Sequence, residues 1–178
     1  FAVGDRVTAP FVFACGTCAE CLDGATQVCT AQQQPGFDLQ GSYADSLVVP
    51  HADLNLVALP DAVDFAVAAA LGCRFGTAFH ALHARGRVTA GEWVVVYGCG
   101  GVGLSAVMVA VAAGAHVVAV DVSAAALERA AALGADTVLM DDDAVTTVRS
   151  RTGGGAHVSL DAYGSRATSV AAVASLRP

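Results

Sequence analysis

Hydrophobic and polar positions change rhythm near residue 61. Residues 1–60 are rich in turn-forming residues and cysteine, with only short strand-like runs at Ser46 to Pro50 and Leu54 to Leu59. From residue 61 the pattern becomes helical. Asp61 or Asp64 can cap a helix carrying Val67, Ala70 and Leu71, and Phe75 to Ala84 reads as a second helix. Beyond it, strands and helices alternate. The strands fall at Glu92–Tyr97, His116–Val120, Thr137–Met140 and His157–Asp161. The helices fall at Val102–Ala113, Ala124–Leu133, Ala144–Arg151 and Ala167–Leu176. This predicts an α/β fold: a doubly wound parallel sheet with right-handed crossovers and helices on both faces. The chain divides on this pattern into residues 1–60 and 61–178.

One stretch could be mistaken for a membrane span. From Trp93 to Val120 the only partly charged residue is His116, and an apolar window of that length passes a hydropathy test. Gly98, Gly100, Gly101 and Gly103 cut the stretch into a strand and a helix, and a parallel strand buried on both faces is almost wholly apolar. No membrane partner is expected. Hydrophobic residues make up 55% of the chain and charged residues 14%, which fits a well-buried globular protein. The net charge of −7 excludes nucleic acid as a partner, because little here would displace counterions from phosphates. The chain starts at Phe1 without a Met or a signal-peptide pattern and stops at Pro178 without a closing element. It reads as a piece of a longer, cytoplasmic protein.

Gly98-Cys99-Gly100-Gly101-Val102-Gly103 fits G-x-G-x-x-G. The motif alone is weak, but here it succeeds a strand, opens a helix, and precedes Asp121 at the end of the next strand. Gly98 permits the tight turn, Gly100 lets a pyrophosphate reach the backbone, and Gly103 lets helix and strand pack closely. The helix start offers free N–H groups and a positive dipole end. Asp121 can accept both ribose hydroxyls and would repel a 2′-phosphate, so NAD is favoured over NADP. Cys99, at a variable position of the motif, reads as a small filler. The sheet is then Rossmann-type and truncated, with four strands of the six in the order 3-2-1-4-5-6.

Cys15, Cys18, Cys21 and Cys29 are spaced C-x2-C-x2-C-x7-C. Four thiolates on one tight loop can close a tetrahedral shell around zinc with no open position, as in structural sites. Two disulfides would need an oxidising compartment. An iron–sulfur run has a shorter last gap and then Pro, whereas Thr30 comes next here.

Taken together, these motifs resemble the zinc-dependent medium-chain alcohol dehydrogenase family along all 178 residues. The resemblance implies that residues 1–60 are part of a β-rich, GroES-like catalytic domain holding the structural zinc lobe. It further implies that residues 61–178 are connecting helices and part of the NAD-binding domain. Leu71-Gly72-Cys73-Arg74-Phe75-Gly76-Thr77 resembles the segment carrying the third catalytic zinc ligand, which would be Cys73. Thr77 would touch the nicotinamide, and Val102 would back its ring. Phe11 and Phe37 would be walls of the substrate pocket. Relatives acting on polyols commonly have Glu at the position of Cys73, so simple alcohols are favoured. The family's first catalytic Cys and its Gly-His-Glu segment would precede Phe1. His51, His80, His83, His116 and His157 do not replace them, and Asp141-Asp142-Asp143 reads as a solvated turn or helix cap.

The implied activity transfers a hydride between a primary or secondary alcohol and NAD, with zinc as the Lewis acid on the alcohol oxygen. The complete protein is expected to be a homo-oligomer acting on a small alcohol or aldehyde, and residues 1–178 alone are expected to be inactive. Two rivals stay open. One is another zinc dehydrogenase or reductase of this fold, for an aldehyde, a polyol or an acyl-CoA-derived alcohol. The other is a non-catalytic NAD- and zinc-binding protein.

Overall fold

The computed structural model describes residues 1–178, which form two compact units, Phe1–Cys73 and Arg74–Pro178.

In the first unit, strand β1 (Val7–Thr8) pairs antiparallel with β2 (Val57–Ala58). Helix α1 (Ala19–Leu22) lies inside the cysteine loop, and α2 (Ala52–Asn55) precedes β2. The strand expected at Ser46 to Pro50 does not form. It forms no ladder with any other segment, and Val48 is 83% exposed. The run expected at Leu54 to Leu59 splits, its first residues closing α2 and only Val57 and Ala58 pairing. Buried Asn55 supplies a clasp. Its Oδ1 accepts from the Ala14 N–H at 2.9 Å, and its Nδ2 donates to the carbonyls of Ala14 (3.0 Å) and Pro50 (2.9 Å).

Helix α3 (Phe65–Ala70) begins at Asp64, whose carboxylate accepts from the Val67 N–H at 2.8 Å. Of the two expected caps, Asp64 is the one used. The two expected helices are continuous over Phe65–Arg85, through a π-helical turn at Leu71–Phe75, α4 (Gly76–Phe79) and a second π turn at His80–Arg85. Gly72 does not end the helix, because the wider turn absorbs the irregularity without freeing the backbone. By length and composition this helix could cross a membrane, and α4 packs on the helix opened by the glycine loop.

The second unit is a four-stranded parallel sheet. Strands β3 (Trp93–Tyr97), β4 (His116–Asp121), β5 (Asp136–Leu139) and β6 (Val158–Asp161) lie in the order β5-β4-β3-β6. Tyr97 is in register with Val120 on one side and Asp161 on the other. Alternate residues of β3 face opposite layers. Val94 and Val96 join Ala106, Val107 and Ala110 of α5 (Gly101–Ala112) and Leu127 and Ala130 of α6 (Ala124–Ala132). Val95 and Tyr97 join Val148 of α7 (Ala144–Arg151) and Ala171 and Ala172 of α8 (Arg166–Ala174). Helices therefore cover both faces, which is why the central strands β3 and β4 are almost wholly apolar. The apolar stretch from Trp93 to Val120 is divided among β3, α5 and β4.

Asp161 closes β6 and organises the turn into α8. It accepts from the N–H groups of Tyr163 (3.1 Å) and Gly164 (2.9 Å) and from the hydroxyls of Thr168 (3.1 Å) and Ser169 (2.7 Å). Burial pushes its carboxyl upward, but these four donors outweigh burial and hold it below the ordinary range. Stability from this group is thus present above its unfolded-state pKa and is lost as pH falls through its lowered folded value. Asp161→Ala should cost about 1–3 kcal/mol, because several donors lose one charged acceptor. Urea unfolding of both proteins measures this. An unchanged midpoint, or a cost that does not shrink on acidification, would contradict the assignment.

Candidate functional site

The glycine loop is built by close approach. Gly98 turns with φ +91°, and a Cβ there would stand 2.9 Å from Tyr163 Cβ. A Cβ on Gly103 would overlap the Gly98 carbonyl oxygen. Gly100 has nothing within 4 Å of where a Cβ would stand. The first i→i−4 bond of α5 runs from the Leu104 N–H to the Gly100 carbonyl at 2.9 Å. The N–H groups of Gly101, Val102 and Gly103 therefore have no partner inside the helix. Asp121, at the end of β4, accepts from the Cys99 N–H at 2.6 Å and, through its other oxygen, from the Ser123 N–H at 2.8 Å. A carboxylate oxygen has room for a second donor, so Asp121 can hold the loop and still accept from a ribose. Cys99 is buried, and burial with the nearby Asp121 charge pushes its thiol up to about 11, as a core filler would be.

Beside the loop, at the C-terminal ends of β3, β4 and β6, is a cavity of 190 Å³ lined by residues that include Gly98, Asp121, Val122, Met140 and Tyr163. Ligands in open α/β sheets bind at this end of the strands, where the chain order reverses. Here it reverses about β3, with β4 on one side and β6 on the other.

The four lobe cysteines come together. Their sulfurs all lie within 4.8 Å of one another, and Cys18 and Cys29 are 3.7 Å apart. A tetrahedral zinc–thiolate shell has sulfur–sulfur edges of about 3.8 Å. Backbone N–H groups already point at the sulfurs. Cys15 Sγ accepts from Thr17 and Cys18 at 3.4 Å each, and Cys29 Sγ accepts from Cys15. The Thr17 hydroxyl, with the N–H groups of Thr17 and Cys18, lowers the Cys15 thiol to about 5. Burial, and then the neighbouring cysteines, push Cys21 up to about 12. The antiparallel bridge between Phe13 and Gln33 closes the lobe, and the Asn55 clasp fixes Ala14 at its entrance.

Cys73 is exposed in the first π turn, and Thr77 is exposed one turn later on α4. No second cluster of three or more possible metal ligands accompanies Cys73. The histidines take ordinary surface positions. His83 stacks on Phe79, His116 lies against Trp93, and His157 accepts from the Trp93 N–H. Asp141 Oδ1 accepts from the Asp143 N–H, and Asp143 precedes α7 without a side-chain capping bond, so the acidic run is an exposed turn. Phe11 lines a 150 Å³ cavity with Thr26 and Leu54 among others, while Phe37 is 86% exposed in the turn after Pro35. The structure does not bring these two phenylalanines into one cavity. Two residues with a part in these sites escaped the sequence: Asn55 and Tyr163. Neither belongs to a motif, and each matters through a neighbour remote in sequence.

Comparison with known proteins agrees with this geometry. Residues 1–61 match the alcohol dehydrogenase GroES-like domain, and residues 101–178 match the zinc-binding dehydrogenase domain. The chain belongs to the zinc-dependent medium-chain alcohol dehydrogenase family. It is 40% identical over 178 residues to an alcohol dehydrogenase of Geobacillus stearothermophilus, covering 98% of this chain and 52% of that one. Alcohol dehydrogenase TADH from Thermus sp. ATN1 superposes with a TM-score of 0.92 at 37% identity, over 98% of this chain and 53% of that one. An NAD-dependent alcohol dehydrogenase superposes with a TM-score of 0.88 at 34% identity, over 99% and 52%. The chain spans about half the length of the relatives it matches.

Cys18→Ser opens the four-sulfur shell, so elemental analysis should fall from about one tightly held lobe zinc per chain to none. Retention of that zinc would refute the four-thiolate site. The glycines should separate fold from binding. Gly103→Ala should destabilise the second unit by about 3–5 kcal/mol, since backbone has to move. Gly100→Ala should leave thermal unfolding nearly unchanged while weakening dinucleotide binding. Equal unfolding curves for the two variants would show the packing argument to be wrong.

Proposed function

We propose that this chain supplies the NAD-binding face and one catalytic zinc ligand of an alcohol dehydrogenase that transfers hydride between a small primary or secondary alcohol and NAD. The observation that carries the cofactor choice is Asp121, whose carboxylate ends β4 beside the glycine loop and binds the Cys99 N–H. That position suits the ribose hydroxyls and opposes a phosphate on them. The name of one solved neighbour, an NAD-dependent alcohol dehydrogenase, agrees.

When bound, zinc supplies a Lewis acid for the alcohol oxygen and NAD supplies the hydride acceptor. The chain's own residues hold and orient. Cys15, Cys18, Cys21 and Cys29 would hold a structural zinc, keeping their loop in one shape. The N–H groups of Gly101, Val102 and Gly103 would take the dinucleotide phosphates. Cys73 would be a ligand of the catalytic zinc, a role that suits the accessibility and irregular backbone of its π turn. Thr77 and Val102 would position the nicotinamide, and Phe11 and Phe37 would be walls of the substrate pocket. Catalysis needs three protein ligands and an open position on zinc. Cys73 alone does not meet that requirement, so residues 1–178 by themselves would have no turnover. The complete protein would be a cytoplasmic homo-oligomer.

Asp121→Ser tests the cofactor choice. Titrating the full-length polypeptide with NADH and NADPH should show NADH bound preferentially. The substitution should reduce that preference about tenfold or more, since charged hydrogen bonds are lost and a repulsion is removed. A full-length protein that prefers NADPH would refute this reading of Asp121.

A further inference from the structure

Gly101 is the first residue of α5, and Arg74 covers it. A Cβ at Gly101 would overlap Arg74 Cδ and would stand 3.0 Å from its Nε and 3.5 Å from its Cγ. The stem of Arg74 therefore runs across the loop, and its guanidinium begins beside the start of the helix. Gly101 does not adopt the left-handed conformation that calls for glycine, and alanine is the better helix former. What glycine provides at this position is space, and Arg74 occupies that space.

Arg74 is exposed and has no partner. It makes no side-chain hydrogen bond, and the one ion pair in the chain joins Arg6 to Asp61. Its charge is also at the unfavourable end of the helix. The start of α5 carries the positive end of the dipole and three N–H groups without helical acceptors, which favours an anion and disfavours a cation. The arrangement becomes favourable only when a negative group sits between guanidinium and helix.

We propose that Arg74 binds the pyrophosphate of the dinucleotide at the Gly98–Gly103 loop, donating charge-assisted hydrogen bonds that add to those of the α5 N–H groups. This rests on the NAD reading above and names a binding residue which the glycine motif does not contain. Arginine fits the role because its planar fork can meet two phosphate oxygens at once, whereas lysine offers a point charge.

The test uses the full-length polypeptide and two probes: ADP-ribose, which carries the pyrophosphate, and adenosine, which does not. Arg74→Gln should weaken ADP-ribose binding about 10- to 100-fold and leave adenosine binding and thermal unfolding unchanged. Arg74→Lys should recover part of the loss. Gly101→Ala should weaken ADP-ribose binding by pushing Arg74 aside, with little further effect when Arg74 is already Gln. If the unmodified protein binds ADP-ribose and Arg74→Gln binds it equally well, the proposal for Arg74 falls while the NAD reading stands. If the unmodified protein binds no ADP-ribose, the NAD reading itself falls. Fully additive losses for Gly101→Ala and Arg74→Gln would overturn the claim that Gly101 acts by making room for Arg74.

Discussion

The second unit depends on a backbone contact that leaves no room for a side chain: Gly103 of α5 against the carbonyl of Gly98. This contact sets where α5 begins relative to the end of β3. The loop is then fixed from three directions. The Gly98 N–H donates to the Val120 carbonyl at 2.8 Å, the Cys99 N–H donates to Asp121, and Tyr163 from the turn after β6 packs on Gly98. Arg74 fills the space over Gly101, and only Gly100 faces open space. Three glycines are consumed by the protein's own packing, and one leaves bare backbone for a ligand. Loss of the Gly103 contact would shift the helix start, and with it the N–H groups that give the loop its chemistry.

The sequence exposed most of this unit because its rules are local. Each strand of the sheet lies within about a residue of its expected place, and α7 matches at both ends. A strand buried on both faces and an amphipathic helix leave different periods in the sequence. The first unit was less legible. Ser46 to Pro50 has strand composition but pairs with no other segment, and composition cannot supply a partner. The join between α3 and α4 was hidden because Gly72 signals a break that the π turn absorbs. Within the sites, motif residues were legible and supporting residues were not. Asn55 reaches Ala14 across 41 positions, and Arg74 reaches Gly101 across a helix end and a strand. Nothing in the local pattern at either residue reports such a contact.

The cysteine lobe shows why its four thiols belong with a metal. Hydrogen bonds pull Cys15 toward the thiolate, while burial and its neighbours push Cys21 the other way. Four sulfurs this close cannot all be negative without a cation, because each new charge raises the cost of the next. A divalent ion removes the conflict and makes all four thiolates favourable together. The N–H groups aimed at Cys15 and Cys29 are in place for that state.

The same electrostatic reasoning governs the proposed cofactor. The protein carries a net charge of −7, so a doubly charged pyrophosphate meets an adverse background at long range. Attraction has to be local and short, which is what unpaired N–H groups at the start of α5 and an unpaired guanidinium beside Gly101 offer. Over the few ångströms of a hydrogen bond, these outweigh distant charges that salt screens within about 8 Å. Asp121 places negative charge on the other side of the loop, where a ribose brings hydroxyls and a 2′-phosphate would bring more negative charge. The two ends of the site therefore read opposite signs. On that proposal, phosphate would be favoured at Gly101 and excluded at Asp121, and a preference for NAD over NADP would come from the separation of the two groups rather than from the size of either charge.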